Sequence, residues 1–303
     1  SATILYSIYI ALTVLCVLFL LAGGMPLFDS LCTAFGTAGT GGFGIKNSSM
    51  AAYSPYLQTV CTVFMALFGV NFTVYFLLLL GKIKQALLGE ELRLYLGIML
   101  GSMALITWNI LPLYGGSVHA ALHDAAFSVS SVMTTTGFAT ADFNLWPQLS
   151  RTILVILMVG ACAGSTGGGI KCSRVLLLLR SLRTRMRQML HPRSVSLVRL
   201  EGRTVGEEIV QGVYTYMTAY CAIAILSILL LSLDNLSLET NFTAVMACLN
   251  NIGPGLDLVG PTGNYAHFSD LSKLVLMLNM LLGRLEIFPL LIMLSPHTWR
   301  RAA

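Results

Sequence analysis

Charge is what this 303-residue sequence lacks most. Asp, Glu, Lys and Arg make up 10% of it, against roughly a quarter of an ordinary soluble domain. A surface so poor in charge cannot face water on all sides, which excludes a conventional soluble enzyme or binding module. Paired cysteine motifs are missing as well. Cys16, Cys32, Cys61, Cys162, Cys172, Cys221 and Cys248 are odd in number, none stands in CxxC spacing, and nearly all fall in apolar stretches. They read as small buried apolar residues, neither a disulfide framework nor a metal site. Acidic residues are scarce inside the apolar segments too. Asp29, Glu90, Glu91, Glu201, Glu207, Glu208, Asp234 and Glu239 sit near segment ends, and no nucleophile–base pair accompanies them, so an enzyme is not expected. His119 and His123 lie one helical turn apart, but a short helix starting in water explains them better than a metal does. A cleavable leader would be followed by a soluble body, whereas apolar runs recur here to the end.

Hydrophobic residues make up 56% of the chain. The runs 4–22, 58–80, 95–113, 209–233 and 274–294 each approach the roughly 20 residues that a bilayer-spanning helix needs. The fold class that follows is an all-α polytopic membrane protein. The net charge of +5 informs through its distribution. Lys82, Lys84 and Arg93 share one connection. Lys171, Arg174, Arg180, Arg183, Arg185, Arg187, Arg193, Arg199 and Arg203 share another, and Arg300 and Arg301 end the chain. These segments belong on one side of the membrane, which the excess of basic residues marks as cytoplasmic. The basic run 180–187 is therefore a topological signal, with no nucleic acid implied.

The chain also repeats itself. Three times a long apolar helix is followed by a half-length segment, a turn and another apolar helix. The half-length segments are 28–38, 119–133 and 240–249, and the turns after them are 39–43, 134–138 and 250–255. The units are bounded as 1–88, 89–203 and 204–303. Segments too short to span read as re-entrant, and non-helical backbone at that depth is tolerated only inside protein or beside a watery cavity. Helix, pore helix, filter turn, helix is a channel-type repeat, and the units run parallel. A cation stripped of water needs oxygen ligands, and rings of backbone carbonyls supply them. Glycine allows those carbonyls to crowd an axis, and Thr40, Thr135 and Thr136 offer hydroxyl oxygens. The C-terminal ends of the short helices add partial negative charge.

Two further features point to control. Residues 163–169, including Gly164, Ser165, Thr166, Gly167, Gly168 and Gly169, interrupt the apolar run 152–182. Successive glycines are poor helix formers, and the interruption reads either as a kink or as a loop obstructing the pore. A nucleotide-binding P-loop is excluded because Ile170 separates Gly169 from Lys171. Arg284 stands mid-span in the last apolar segment, and Glu286 is on another helix face. A charge at that depth normally faces a bundle interior or a wet cavity. A pore-facing guanidinium bonded to carbonyls of the 163–169 loop is preferred to a salt bridge with another helix. Asp142 and Asp257 follow the turns, either as cation-concentrating groups at the mouth or as solvated surface carboxylates. A cation-coupled secondary transporter with broken helices is the rival reading, but it predicts inverted repeats.

The stretches TTTGFATADFNLWP at 134–147, GACAGSTGGGIK at 160–171, LNNIGPG at 249–255 and GRLEIF at 283–288 resemble the Trk/Ktr/HKT superfamily of potassium uptake proteins, and its TrkH branch above all. The resemblance covers essentially the whole chain and implies four repeats around a pseudo-fourfold pore, each giving one filter glycine. Carried over, these are Gly41, Gly137 and Gly253, with Thr40, Thr135, Thr136 and Ile252 beside them. The family's first repeat has no counterpart here, so a fourth unit is expected from an N-terminal portion outside this sequence or from a separate chain. The resemblance further implies K+ as cargo and a loop at 163–169 that gates the pore. Also implied are the bacterial inner membrane, a homodimer, and a cytoplasmic TrkA-like ring of nucleotide-binding subunits. The arginine-rich connection 171–203 suits that ring, or anionic lipid headgroups. The chain itself carries no visible nucleotide site.

Overall fold

The computed structural model describes residues 2–158, 160–191, 197–285 and 287–294. Arg193, Glu286, Arg300 and Arg301 lie outside the described residues. The chain begins with α1 (Ala2–Ala22), α2 (Leu27–Ala38), α3 (Pro55–Phe68), α4 (Phe72–Leu79) and α5 (Ile83–Leu87), the stretch expected as the first unit. Next come α6 (Glu90–Ile110), α7 (Val118–Met133), α8 (Gln148–Leu157) and α9 (Cys172–Leu190). A two-stranded antiparallel hairpin of β1 (Arg199–Leu200) and β2 (Arg203–Thr204) then leads to α10 (Glu207–Leu231), α11 (Leu238–Leu249), α12 (Asp270–Leu285) and α13 (Ile287–Leu294).

Among the described residues, helical stretches Thr3–Ala22, Glu90–Tyr114 and Glu207–Asp234 are individually long and apolar enough to cross a membrane. The run 58–80 departs from the expected single span. It is split into α3 and α4, bent by 87° at residues 69–71. Gly69 ends α3 where the Tyr95 hydroxyl and the Thr134 methyl leave no room for a Cβ. Asn71 restarts the chain by accepting a hydrogen bond from Thr73 N at 2.8 Å, the usual role of an Asn N-cap. The run 274–294 is helical in α12 and α13, on either side of residue 286, which lies outside the described residues. The expected interruption of 152–182 falls between Leu157 and Cys172.

Helices α2, α7 and α11 have 12, 16 and 12 residues. At about 1.5 Å per residue they fall short of a hydrocarbon core about 30 Å thick. Ser117 caps α7 and Ser237 caps α11 through the N–H groups of Ala120 and Thr240. Small residues let the neighbours approach closely, and Ala34, Ala38, Ala121, Ala125, Ala244 and Ala247 are completely buried. Of the seven free cysteines, four of the five buried ones lie on helices, while Cys32 is half-buried and Cys221 is exposed on α10.

Packing binds each unit to the next. Phe127 of α7 and Phe138 sit in the core built by α1 to α4, and Ile252 and Leu256 sit in the core built around α6 to α8. Polar interlocks match these apolar ones. Met50 N donates to Ala139 O at 3.0 Å, and His123 Nε2 lies 2.7 Å from Gln58 Oε1. Asn144 accepts from Asp257 N at 2.9 Å and donates to Asp257 O at 3.1 Å, while Thr262 donates to Asp142 at 2.9 Å. Asp257 therefore works as a tie. Ser237 and Thr240 hydroxyls donate to its carboxylate, and Asn144 holds its backbone at a left-handed φ of 58°. The hydrogen bond from Ser237, that from Thr240 and the nearby charge of Arg151 hold the Asp257 carboxyl below the usual aspartate range.

Asn144→Ala removes both bonds that pin Asp257, and is expected to destabilise the protein by about 1–2 kcal/mol. The check is thermal unfolding in detergent, where an unchanged midpoint would count against the tie. The part that depends on pH is the carboxylate's own: because the folded-state value of Asp257 is depressed, the stabilisation from its bonds with Ser237 and Thr240 is present above the ordinary aspartate range and fades as pH falls through the depressed value.

Candidate functional site

The three turns superpose in hydrogen-bond register. Gly41 N donates to Gly36 O at 2.8 Å, Thr136 N to Ser131 O at 2.9 Å, and Ile252 N to Ala247 O at 2.8 Å. The residue before each adopts a left-handed conformation: Thr40 with φ 49°, Thr135 with φ 60° and Asn251 with φ 58°. The residue after each is a glycine of positive φ: Gly42 at 65°, Gly137 at 90° and Gly253 at 101°. Here the structure corrects the sequence expectation. Gly42, not Gly41, is the counterpart of Gly137 and Gly253, because Gly41 shares its bonding with Thr136 and Ile252. A Phe following both Gly42 and Gly137 was the available signal for that register.

These glycines are required by more than φ. A Cβ on Gly42 would run into the Thr136 carbonyl oxygen, and one on Gly137 into the Ile252 carbonyl oxygen. The turns thus stand shoulder to shoulder around part of a ring. The Cβ position of Gly253 meets nothing within 4 Å. A cavity of about 660 Å³ opens on that side, lined by Gly39, Gly41, Gly253, Met277 and Arg284 among others.

The hydroxyls are less uniform than the sequence suggested. Thr136 Oγ1 pairs with Thr134 Oγ1 at 2.8 Å. Thr135 Oγ1 accepts from Gly168 N at 2.7 Å. Thr40 Oγ1 lies 2.8 Å from Gly39 O and 2.9 Å from Thr166 O. Two of the three therefore face the loop between α8 and α9.

That loop lies against the C-terminal ends of all three short helices. Thr166 meets Thr40, Gly168 meets Thr135, and Gly169 abuts the Asn250 side chain so tightly that a Cβ would collide with it. Gly167 and Gly168 are buried, while Gly164 is exposed and Ser165 half-buried. The break between α3 and α4 supports the loop from behind, with Phe72 N donating to Gly164 O at 3.1 Å and Cys162 N to Gly69 O at 3.1 Å. Arg284 reaches the same place from α12. Its Nη1 donates to Thr166 O at 3.2 Å and to Thr40 Oγ1 at 3.4 Å, and its Nη2 donates to Gly39 O at 3.1 Å. One guanidinium thus joins the loop to the first turn. The preferred placement of Arg284 against a loop carbonyl is the geometry found.

Other participants were not anticipated. Lys171 Nζ donates to Gly167 O and, at 3.5 Å, to Gly168 O, so a second cation occupies loop carbonyls. Glu91 binds the loop from 72 and 82 residues away in sequence, and no local pattern marks it. His119 and His123 belong to no cluster of metal-ligating residues among those described. The Asp142 carboxylate accepts from Asn144 N and, across to the third unit, from Thr262, whereas the Asp257 carboxylate accepts from Ser237 and Thr240 of its own unit and its backbone makes the cross-unit bonds to Asn144.

The TrkH family model, described as "Cation transport protein", matches residues 1–300. The Trk system potassium uptake protein TrkH of Salmonella typhimurium is 35% identical over 307 residues, covering 99% of this chain and 62% of that protein. TrkG of Escherichia coli K12 is 32% identical over 301 residues, covering 98% of this chain and 61% of that protein. Among solved structures, the potassium transporter TrkH from Vibrio parahaemolyticus matches with a TM-score of 0.89 at 32% identity, covering 99% of this chain and 65% of that one. The chain therefore spans less than two thirds of the length of these relatives. A family match from residue 1 to residue 300, and a backbone that follows a solved relative over nearly its whole length, place this chain in the TrkH family of cation transport proteins.

Proposed function

We propose that this chain supplies three of the four pore repeats of a potassium uptake channel subunit, with units at 1–88, 89–203 and 204–303. What carries the reading is the shared register of the three glycine turns. Each follows a short helix, the second and third each press a carbonyl against the glycine of the turn before, and together they form a cradle that crowds oxygens as desolvated K+ requires. The filter residues are Gly42, Gly137 and Gly253, together with the backbone of Thr40, Gly41, Thr135, Thr136 and Ile252. The fourth unit fills the side on which the cavity opens. The ends of α2, α7 and α11 add dipole charge that favours a cation beneath the turns.

The gate in this reading is the loop carrying Gly164, Ser165, Thr166, Gly167, Gly168 and Gly169. It lies across the path below the turns. Arg284 and Lys171 hold its carbonyls and place positive charge where an ion would pass. The relatives' names speak of potassium, and the same cargo suits this cradle. The setting is the bacterial inner membrane, as a homodimer over a TrkA-like cytoplasmic ring that carries the nucleotide. This chain contributes neither nucleotide site nor catalytic step. Parallel units meeting at their helix C-termini give no support to a coupled secondary transporter, which calls for inverted halves.

Radioactive rubidium uptake into liposomes holding the complete native assembly tests both parts. Arg284→Ala removes three hydrogen bonds and a charge, and is expected to raise uptake about tenfold. Unchanged uptake would discard the gate and keep the pore. Gly137→Ala forces a methyl into the Ile252 carbonyl at a backbone angle that L-residues avoid, and is expected to lower potassium-competed uptake about tenfold or more. Full potassium-competed uptake in that variant would sink the filter assignment.

A further inference from the structure

The 160–171 loop is non-helical, yet both of its ends are tied to one carboxylate oxygen. Glu91 Oε1 accepts from Ala163 N at 2.7 Å, on the descending arm, and from Ser173 N at 3.0 Å, on the returning arm. Ser173 lies in the first turn of α9, where free N–H groups and the helix dipole both favour a carboxylate. Cys172 N closes the same neck by donating to Ala161 O at 3.0 Å.

Glu91 is itself held in place. It occupies the first turn of α6, and the N–H groups of Glu90 and Glu91 donate to Glu201 Oε1 at 2.8 and 3.3 Å. Glu201 sits at the tip of the β1–β2 hairpin. There Glu201 and Gly202 have φ of 51° and 74°, the paired left-handed conformation of a tight two-residue hairpin turn. Glu201 N donates in return to Glu90 Oε2 at 2.8 Å, and Arg180 of α9 bonds the same Glu90 oxygen at 2.8 Å. An unbroken series of hydrogen bonds therefore runs from an exposed hairpin on the basic side, through the start of α6, to the neck of the loop.

We infer that Glu91 is the positioning residue that clasps the loop shut, and that the hairpin at Glu201 is the handle through which a cytoplasmic contact moves it. The inference rests on the gate reading of the 160–171 loop. Displacing Glu201 uncaps α6, shifts Glu91, and frees Ala163 and Ser173 together, so the loop loosens as a unit. Charge on the hairpin, with Arg199 and Arg203 flanking Glu201, gives a partner something to grip.

The test combines hydrogen exchange with flux in the full assembly. In Glu91→Ala, amide exchange in peptides covering 161–173 is expected to quicken about tenfold, the loss of two charge-assisted bonds, and basal rubidium flux to rise severalfold. Glu91→Gln keeps an oxygen that can accept from both N–H groups, and is expected to hold exchange near the parent rate. Glu201→Ala is expected to quicken exchange at 90–91 and at 161–173 alike. Ser173→Pro, tolerated in a first helical turn, serves if Glu91→Ala fails to fold, and should quicken exchange at Ala163. Unchanged exchange at 161–173 in folded Glu91→Ala, or in Ser173→Pro, overturns the clasp. Quickened exchange in Glu91→Ala but not in Glu201→Ala overturns the handle. A variant deleting Gly167 to Gly169 separates the two readings. If it conducts freely while Glu91→Ala does not, the clasp fails and the gate stands. If neither variant changes flux, the gate reading fails, and exchange alone decides the clasp.

Discussion

Every backbone group placed at membrane depth must find a partner within the protein, and the rest of this structure answers that demand. Three short helices end below the surface, exposing terminal carbonyls, and the segment between α8 and α9 abandons helical bonding altogether. The two problems are solved against each other. The loop lies over the ends of α2, α7 and α11, its N–H at Gly168 uses Thr135, and its carbonyl at Thr166 takes Thr40 and Arg284. The break between α3 and α4 exists for the same reason, since Phe72 N and Gly69 O serve residues 164 and 162 of the loop.

Close approach is the second consequence. Carbonyls of one turn occupy the space where a side chain on the next turn's glycine would stand, so Gly42 and Gly137 are set by their neighbours as much as by their own φ. The small residues on the short helices bring those turns within reach. Asn144 with Asp257, and His123 with Gln58, then join neighbouring units by polar contacts. Arg284 and Lys171 bring positive charge to a cluster of carbonyls, and each donates to backbone oxygens of the turn or the loop.

Much of this was legible in the sequence because local rules acted alone. Apolar run length predicted the long helices α1, α6 and α10, half-length segments ahead of Gly-rich turns predicted α2, α7 and α11, and the run of glycines at 167–169 predicted the interruption. Arg284 was legible because an isolated charge in an apolar helix needs oxygen partners. The register of the first turn was not, since Gly41 and Gly42 are adjacent and it is the folded backbone, with positive φ at Gly42 and not at Gly41, that separates them. The bend at 69–71 was hidden within an apolar run whose composition suits one span as well as two.

The sequence by itself determined that the chain is an all-helical, multi-pass membrane protein and where its three short helices lie. Those properties follow from transfer free energies and backbone propensities that each segment carries alone. Only the tertiary structure decided which glycines face neighbouring carbonyls, which threonine hydroxyls meet the loop, and that Glu91 binds both of its ends. These contacts join residues 33 to 126 positions apart, and contacts of that kind leave no periodic trace in the chain that makes them.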